Sequence, residues 1–424
     1  MSSHTSAPTP LASRRQRRPE WKRTQFAVVA SVFLWFAGQN FFLPFLPLYI
    51  RELGDLTIAE TGIWSGVVIG VTPLVSGSLA PVWGAMADRF GRKIMMQRSL
   101  IGFAICLGFM GVAQEPWHLL AVRTAMGVFG GFASAATAIV TTVVPRDQMT
   151  SAVGRVQTAR VLGLAAGPLP GGIIADVLGY RAASFASMGA AILGLLIVSI
   201  LVTNVRSPVS ASSERDAHFP ARKQLLGGGF LSILFVGAAI RAAEKSFDPV
   251  LPLVITQLNP SGIGVASATA IITSAGLLSA AIASSSTDRL VRRRTRDTGL
   301  TMALAVAGVA FVGIFFAPNW WTILLLRVAV GAGLGVGLTL AYSAIAAETP
   351  ERRRGLVLGI LGAGTSYGSA AGSALGGLLT PIAVGLVFLA DSALLLGSSV
   401  IQHWFRGRGG EDLKAPPSGH LPRT

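Results

Sequence analysis

Twelve apolar runs, each about 20 residues or longer, account for most of this chain. They lie at 26–50, 61–86, 95–113, 117–141, 151–175, 182–203, 227–256, 264–287, 299–317, 320–346, 355–379 and 382–405. A helix of about 20 apolar residues crosses the hydrocarbon of a bilayer, where the backbone has to satisfy its own hydrogen bonds. The runs therefore predict an all-α integral membrane protein with twelve transmembrane helices. Charged residues make up only 13% of the chain, about half the share usual in a soluble domain.

The formal charge of +16 would suggest a nucleic-acid partner in a soluble protein. Here the cations alternate with the spans, which is a topology signal instead. Segments predicted to face the cytoplasm hold 29 of the 35 Lys and Arg, among them Arg146, Arg155 and Arg160 of 146–160. The outer loops hold only Arg51 and Arg181. Both termini are then expected to be cytoplasmic, and the inner (cytoplasmic) membrane is the expected location. The first run is too long for a signal-peptide core and lacks a small-residue cleavage site, so it is expected to be retained. The chain divides into a basic tail (1–24), a six-helix bundle (25–203), a cytoplasmic linker (204–225), a second six-helix bundle (226–405) and a cytoplasmic tail (406–424).

An internal repeat supports the two bundles. Phe42-Leu-Pro44-Phe-Leu-Pro47-Leu reappears as Phe247-Asp-Pro249-Val-Leu-Pro252-Leu, 205 residues on. Asp88-Arg89 reappears as Asp288-Arg289, and Arg123-x-x-x-Gly127 as Arg327-x-x-x-Gly331. Gly154, Gly163, Gly167, Gly171 and Gly172 have counterparts in Gly359, Gly368, Gly372, Gly376 and Gly377. At the position of Pro168 the second copy has Ser373. Two pseudo-symmetric halves with a site at their interface are what such a repeat implies.

The stretch Gly84-Ala-Met-Ala-Asp88-Arg89-Phe-Gly91-Arg92-Lys93 resembles the loop signature of the major facilitator superfamily. Gly163-Leu-Ala-Ala-Gly167-Pro168-Leu-Pro170-Gly171-Gly172 resembles the fifth-helix signature of its drug:proton antiporters. Pro44-Phe-Leu-Pro47-Leu-Tyr, Trp64-Ser-Gly66 and Pro81-Val-Trp83-Gly84 are similar to bacterial multidrug exporters of the MdtG type. The likeness weakens in the second half, where Ser284 and Val291 replace two signature glycines. It implies the twelve-helix major facilitator fold and a gating latch at Gly84, Asp88, Arg89, Gly91, Arg92 and Lys93. It also associates the glycine helix with export and Arg123 with proton transfer. The residues have plainer roles as well: small residues allow close helix approach, Pro168 adds a bend, and basic residues touch anionic headgroups.

Charges inside a bilayer are costly and are functional candidates by default. Arg123 and Arg327 lie within spans, and Arg241, Glu244, Lys245 and Asp248 share one face of the seventh. That face cannot meet lipid and is expected to line a wet cavity with Gln39 and Asn40, the repeat counterparts of Glu244 and Lys245. Either Glu244 or Asp248 could carry the proton; equally, the four charges could neutralise one another. Asp391 lies within a turn of the depth of Arg327, and the two are expected to pair. Trp35, Phe36, Phe129, Phe132, Tyr342 and Tyr367 are candidate cavity aromatics for a flat or cationic compound.

Cys106 is the only cysteine and the five histidines are scattered, so neither a disulfide framework nor a metal site is expected. There is no Gly-x-x-x-x-Gly-Lys-Ser/Thr, and the glycine run 331–337 sits inside an apolar span, where close packing explains it. The expected function is proton-coupled export of drugs or other small amphipathic compounds by alternating access, with no catalytic residues. No cofactor is expected; the proton gradient supplies the energy. The expected partners are a small-molecule substrate, protons and the bilayer, with the chain acting as a monomer. Export or symport of a sugar or other metabolite is the main alternative, and a non-transporting sensor a further one.

Overall fold

The computed structural model describes residues 18–202, 228–287, 295–348 and 354–409. These residues are helical almost throughout. The first span is α1 (Arg18–Phe42), a 3-10 turn (Leu43–Phe45) and α2 (Leu46–Gly54); α3 (Ile58–Phe90) and α4 (Arg92–Gly111) follow. The fourth span is α5 (Pro116–Val128) with α6 (Phe132–Val143), and the fifth is α7 (Met149–Ala166) with α8 (Pro168–Leu178). The first half ends with α9 (Tyr180–Leu201). The second comprises α10 (Gly228–Leu258), α11 (Val265–Ser285), α12 (Arg296–Phe315), α13 (Trp320–Glu348), α14 (Arg354–Leu379) and α15 (Leu386–Gly409). Twelve spans result among the described residues, nine of them long and apolar enough to cross a membrane by length and composition alone. One that is not, α10, carries four charges within eight residues.

The interrupted spans have local causes. Pro44 and Pro47 lack the N–H that would continue α1 through 43–47. The fourth span breaks at Gly131, whose φ of +95° suits glycine. The Gly130 carbonyl freed there accepts from Arg98 Nη2 at 2.6 Å and Ser99 Oγ at 3.1 Å, and the Arg98 guanidinium lies 3.5 Å from the Trp83 ring centroid. At Pro168 the interruption is slight: Gly167 keeps helical dihedrals (φ −56°, ψ −49°) and its N–H still reaches the Gly163 carbonyl at 3.0 Å. Pro168 supplies no backbone donor, and the span divides there into α7 and α8.

Each half has its own buried core, and the glycine repeat explains how the halves are built and joined. A Cβ on Gly163 would lie 2.6 Å from the Phe33 carbonyl oxygen, so α7 runs against the backbone of α1. In the second half Gly368 brings α14 equally close to α10, with the Ala238 Cα 2.8 Å from its ideal Cβ. The last glycine of each signature crosses between halves. Gly172 faces Ala266 and Ala270 of α11, and Gly377 faces Gly62 and Gly66 of α3. Both crossings lie toward the face opposite the chain ends, and there they bring the halves into close contact. The first glycines, Gly154 and Gly359, have nothing within 4 Å of an added Cβ and take no part in packing.

Other differences from the expected boundaries have simple causes. The tail assigned to 1–24 ends early, since α1 begins at Arg18 and buries Trp21 and Thr24 in the first bundle. The gating signature is mostly the end of α3, and Gly91 (φ +93°) alone separates α3 from α4. Gly84 has open space around it rather than a neighbouring helix. The linker 204–225 and Asp288-Arg289 lie outside the described residues, as does most of 406–424.

Valine at Gly167 or Gly372 forces a side chain onto the backbone of α1 or α10, whereas valine at Gly154 or Gly359 meets open space. The first pair should lower the apparent melting temperature in detergent by about 5 °C or more, with the second pair unchanged, as read by size-exclusion after heating.

Candidate functional site

Between the halves lies a cavity of about 760 Å³, and α10 gives it its chemistry. Arg241, Glu244, Lys245 and Asp248 fall three and four residues apart and all line it. Two ion pairs form along this stripe: Arg241 Nη1 to Glu244 Oε2 at 2.6 Å, and Lys245 Nζ to Asp248 Oδ2 at 2.7 Å. Facing them from the first half are Phe36, Gln39, Asn40, Gln157 and Arg160, and from α14 the hydroxyls of Thr365, Ser366 and Ser369. Ser373, the counterpart of Pro168, also lines the cavity, and its hydroxyl has two carbonyls within reach, that of Ser369 on its own helix at 3.1 Å and that of Lys245 on α10 at 3.3 Å. The second copy therefore has, at this position, a hydroxyl within reach of the backbone of the charged helix. An adjoining cavity bounded by Ser134, Thr137, Thr141 and Gly359 continues toward the face that bears the chain ends.

The two repeated arginines are both buried, at 4% (Arg123) and 3% (Arg327) exposure, and neither meets a carboxylate. Arg123 donates from Nε to the Val68 carbonyl at 3.3 Å and from Nη2 to that of Ile69 at 3.5 Å. Pro73 sits four residues after Ile69 inside α3 and supplies no helical donor for that carbonyl, so it is free to accept. Arg327 stacks 4.3 Å from the Phe247 ring centroid, and its Nε and Nη1 have no hydrogen-bond partner.

Asp391 is 0% exposed and lies inside the second bundle rather than on the cavity wall. Its Oδ2 accepts from Ser246 Oγ at 2.6 Å, while Oδ1 has no partner. The expected Asp391–Arg327 pair does not form. Ser246 and Phe247 are neighbours on α10; the first engages Asp391 and the second Arg327, so the two charges sit near each other without a direct ion pair.

Phe36, Gln39 and Asn40 line the cavity, but Trp35 does not. Consecutive helical residues point about 100° apart, so with Phe36 facing the cavity Trp35 turns into the bundle. There it packs against Phe103 (centroids 4.0 Å) and stacks on Phe132 (4.3 Å). Among the remaining candidate aromatics Tyr342 reaches the cavity, Phe129 packs over Gly102, and Tyr367 bonds Ser78 between α14 and α3 at 3.2 Å. At the gating signature Arg92 donates to the Ala138 carbonyl at 2.6 Å and bonds Thr142, while Lys93 Nζ reaches the Ser199 carbonyl at 3.1 Å. Arg89 is exposed beside Phe90. The side chain of Asp88 lies outside the described residues.

Arg160 is the residue that sequence reasoning misplaced. Counted with the cytoplasmic segment 146–160, it instead lines the cavity, its guanidinium 5.2 Å from the Phe36 ring centroid. Among the described residues it makes no hydrogen bond or ion pair. The available signal was its depth inside the run 151–175 and its spacing of three from Gln157.

A family model described as Major Facilitator Superfamily matches residues 26–310 and 233–423. The chain belongs to the major facilitator superfamily. As a member it is a membrane transporter and not an enzyme, and its two six-helix halves are that family's fold. Among relatives, the multidrug resistance protein MdtG of Proteus mirabilis is 32% identical over 321 residues, covering 75% of this chain and 79% of that protein. The MdtG of Escherichia fergusonii is 29% identical over 388 residues, 91% of this chain and 94% of that one. In fold the chain is similar to a bacterial homolog of the human lysosomal transporter Spinster in an inward-facing, occupied conformation. That likeness has a TM-score of 0.75 at 15% identity, over 94% of this chain and 99% of the other. A point mutant of the nucleoside transporter NupG is similar as well, with a TM-score of 0.70 at 14% identity, over 91% and 99% of the two chains.

Because Trp35 packs within the bundle, Trp35→Ala should cost about 3–5 kcal/mol of stability while leaving the pattern of transported compounds as it was. Thermal unfolding and a substrate panel on the same purified variant check both halves of this expectation.

Proposed function

We propose that this transporter exports small amphipathic compounds in exchange for protons, alternating between states open to the cytoplasm and to the outside. The observation that carries the proposal is the charged stripe of α10, which faces a cavity between the halves. Export of drugs is supported by the relatives, which are named multidrug resistance proteins. The face bearing the chain ends is the cytoplasmic one, a reading supported by the 28 of 35 basic residues that remain assigned to that side once Arg160 is placed in the cavity. With that orientation the cavity opens inward, the seal at Gly172 and Gly377 lies outside, and the chain resides in the inner membrane.

Glu244 and Asp248 are the coupling carboxyls of this proposal. Each is held by a cation one turn away, so accepting a proton means releasing that cation. Proton occupancy thereby changes both the charge and the shape of the wall that α10 presents to the substrate. Among the described lining residues five are cationic (Arg123, Arg160, Arg241, Lys245 and Arg327) and two are acidic. That excess favours neutral and acidic amphiphiles and disfavours cations, opposite to the cationic compound that cavity aromatics alone would suggest. One chain supplies both walls of the cavity, which supports a monomeric unit driven by the proton gradient without a cofactor.

The test is accumulation of neutral, acidic and cationic dyes in inverted vesicles under an imposed proton gradient. Uptake is expected for the first two classes and should stop when the gradient is collapsed. Glu244→Gln and Asp248→Asn should each lower gradient-driven uptake by about tenfold. Arg160→Ala should affect acidic dyes more than neutral ones. If no dye responds to the gradient, proton-coupled export is the wrong function.

A further inference from the structure

The helices that open the second span of each half begin differently. In the first half Thr57 caps α3 with its own side chain, and Glu60 returns the bond to the Thr57 N–H at 3.0 Å. In the second half the corresponding N-cap of α11 is Gly264, which has no side chain to offer. Two first-turn donors of α11 are satisfied by the other half of the molecule. Asp176 Oδ1 accepts from the Ala266 N–H at 3.2 Å, and Asp176 Oδ2 from the Ser267 N–H at 2.8 Å and the Ser267 hydroxyl at 2.5 Å.

Two further features single out this contact. Asp176 lies in the last turn of α8, where a carboxylate opposes the dipole of its own helix and gains only from a helix N-terminus brought to it. A Cβ on Gly264 would collide with the Asp176 carboxylate, so the glycine leaves room for this cap. Gly172, one turn earlier on α8, lets the two backbones approach: its ideal Cβ lies 2.9 Å from the Ala266 carbonyl oxygen.

We propose that Asp176 is the outer latch of the transport cycle, a carboxylate of the first half that caps α11 of the second only while the outside is closed. Opening that side separates α8 from α11 and returns the N–H groups of Ala266 and Ser267 to water, since Gly264 cannot replace the lost cap. The latch therefore biases the resting transporter toward the inward-open state. This rests on the alternating-access reading, and its test follows gate position rather than transport.

The full-length protein, with Cys106→Ala, is labelled with spin probes at Gln114→Cys and Pro318→Cys, on outer loops of the two halves, and reconstituted in lipid nanodiscs. Electron–electron resonance then gives the distribution of distances across the outer side. Asp176→Ala should raise the outward-open to inward-open ratio roughly fivefold, the usual effect of losing a helix cap. Gly264→Ala, which displaces the carboxylate without removing it, should shift the distribution the same way. Asp176→Asn keeps a capping oxygen and should shift it less. Distributions for Asp176→Ala and Gly264→Ala that superimpose on the parent would overturn the latch, as would a parent already open outside. Dye transport by the parent is scored separately: a shifted gate without transport leaves the latch standing and removes the export reading, and transport with an unmoved gate does the reverse.

Discussion

Four charged side chains within eight residues of α10 cannot face hydrocarbon, and much of the architecture follows from that constraint. Two ion pairs reduce their cost without removing their need for water. A wet cavity at the depth of these residues requires α10 to face inward, which places the charged wall at the junction of the halves. The opposing wall is correspondingly polar, with Gln39, Asn40, Gln157 and Arg160. Lipid-facing surfaces are left to the apolar sides of the other helices, where residues such as Phe109, Val177 and Leu325 are exposed.

A cavity between two bundles also needs a closed end, and here glycine does what apolar burial cannot. Helices in lipid gain no hydrophobic energy by leaving it, so close backbone contact holds them together. The two glycine signatures provide that contact twice over. Within each half they press the fifth span on the first, and their last members, Gly172 and Gly377, press one half on the other. Building and sealing are therefore done by the same helices. Movement of α8 or α14 relative to the facing half would open the outside without rebuilding either bundle.

Superimposed on this pseudo-symmetry are asymmetries at matched positions of the two halves. Ser373 brings a hydroxyl within reach of the charged helix's backbone where Pro168 has none to offer. Gly264 borrows its cap from Asp176 where Thr57 supplies its own. The matched arginines differ too: Arg123 holds α3 carbonyls beside Pro73, and Arg327 rests on Phe247. One half is thus the better-anchored wall and the other the one whose charges are paired along a single helix.

Span number, the two halves and the inward face of α10 are determined by sequence alone, because bilayer thickness sets run length and a charge in lipid is prohibitive whatever the neighbours. The close packing of Gly163 and Gly167 was equally legible, since small residues at helical spacing serve few other ends within a membrane. Only tertiary structure could decide which side of a helix a given residue faces when its neighbours are all apolar. Trp35 and Phe36 are indistinguishable in composition, yet one is core and the other lines the cavity. Arg160 looked like a cytoplasmic residue until the rotation of α7 turned it inward. Asp391 and Arg327 form no direct pair, because Asp391 engages Ser246 and Arg327 stacks on Phe247. The cap of Asp176 on α11 joins residues 90 and 91 positions apart, across two bundles. No local pattern records such a pairing, because it exists only when the halves close on one another.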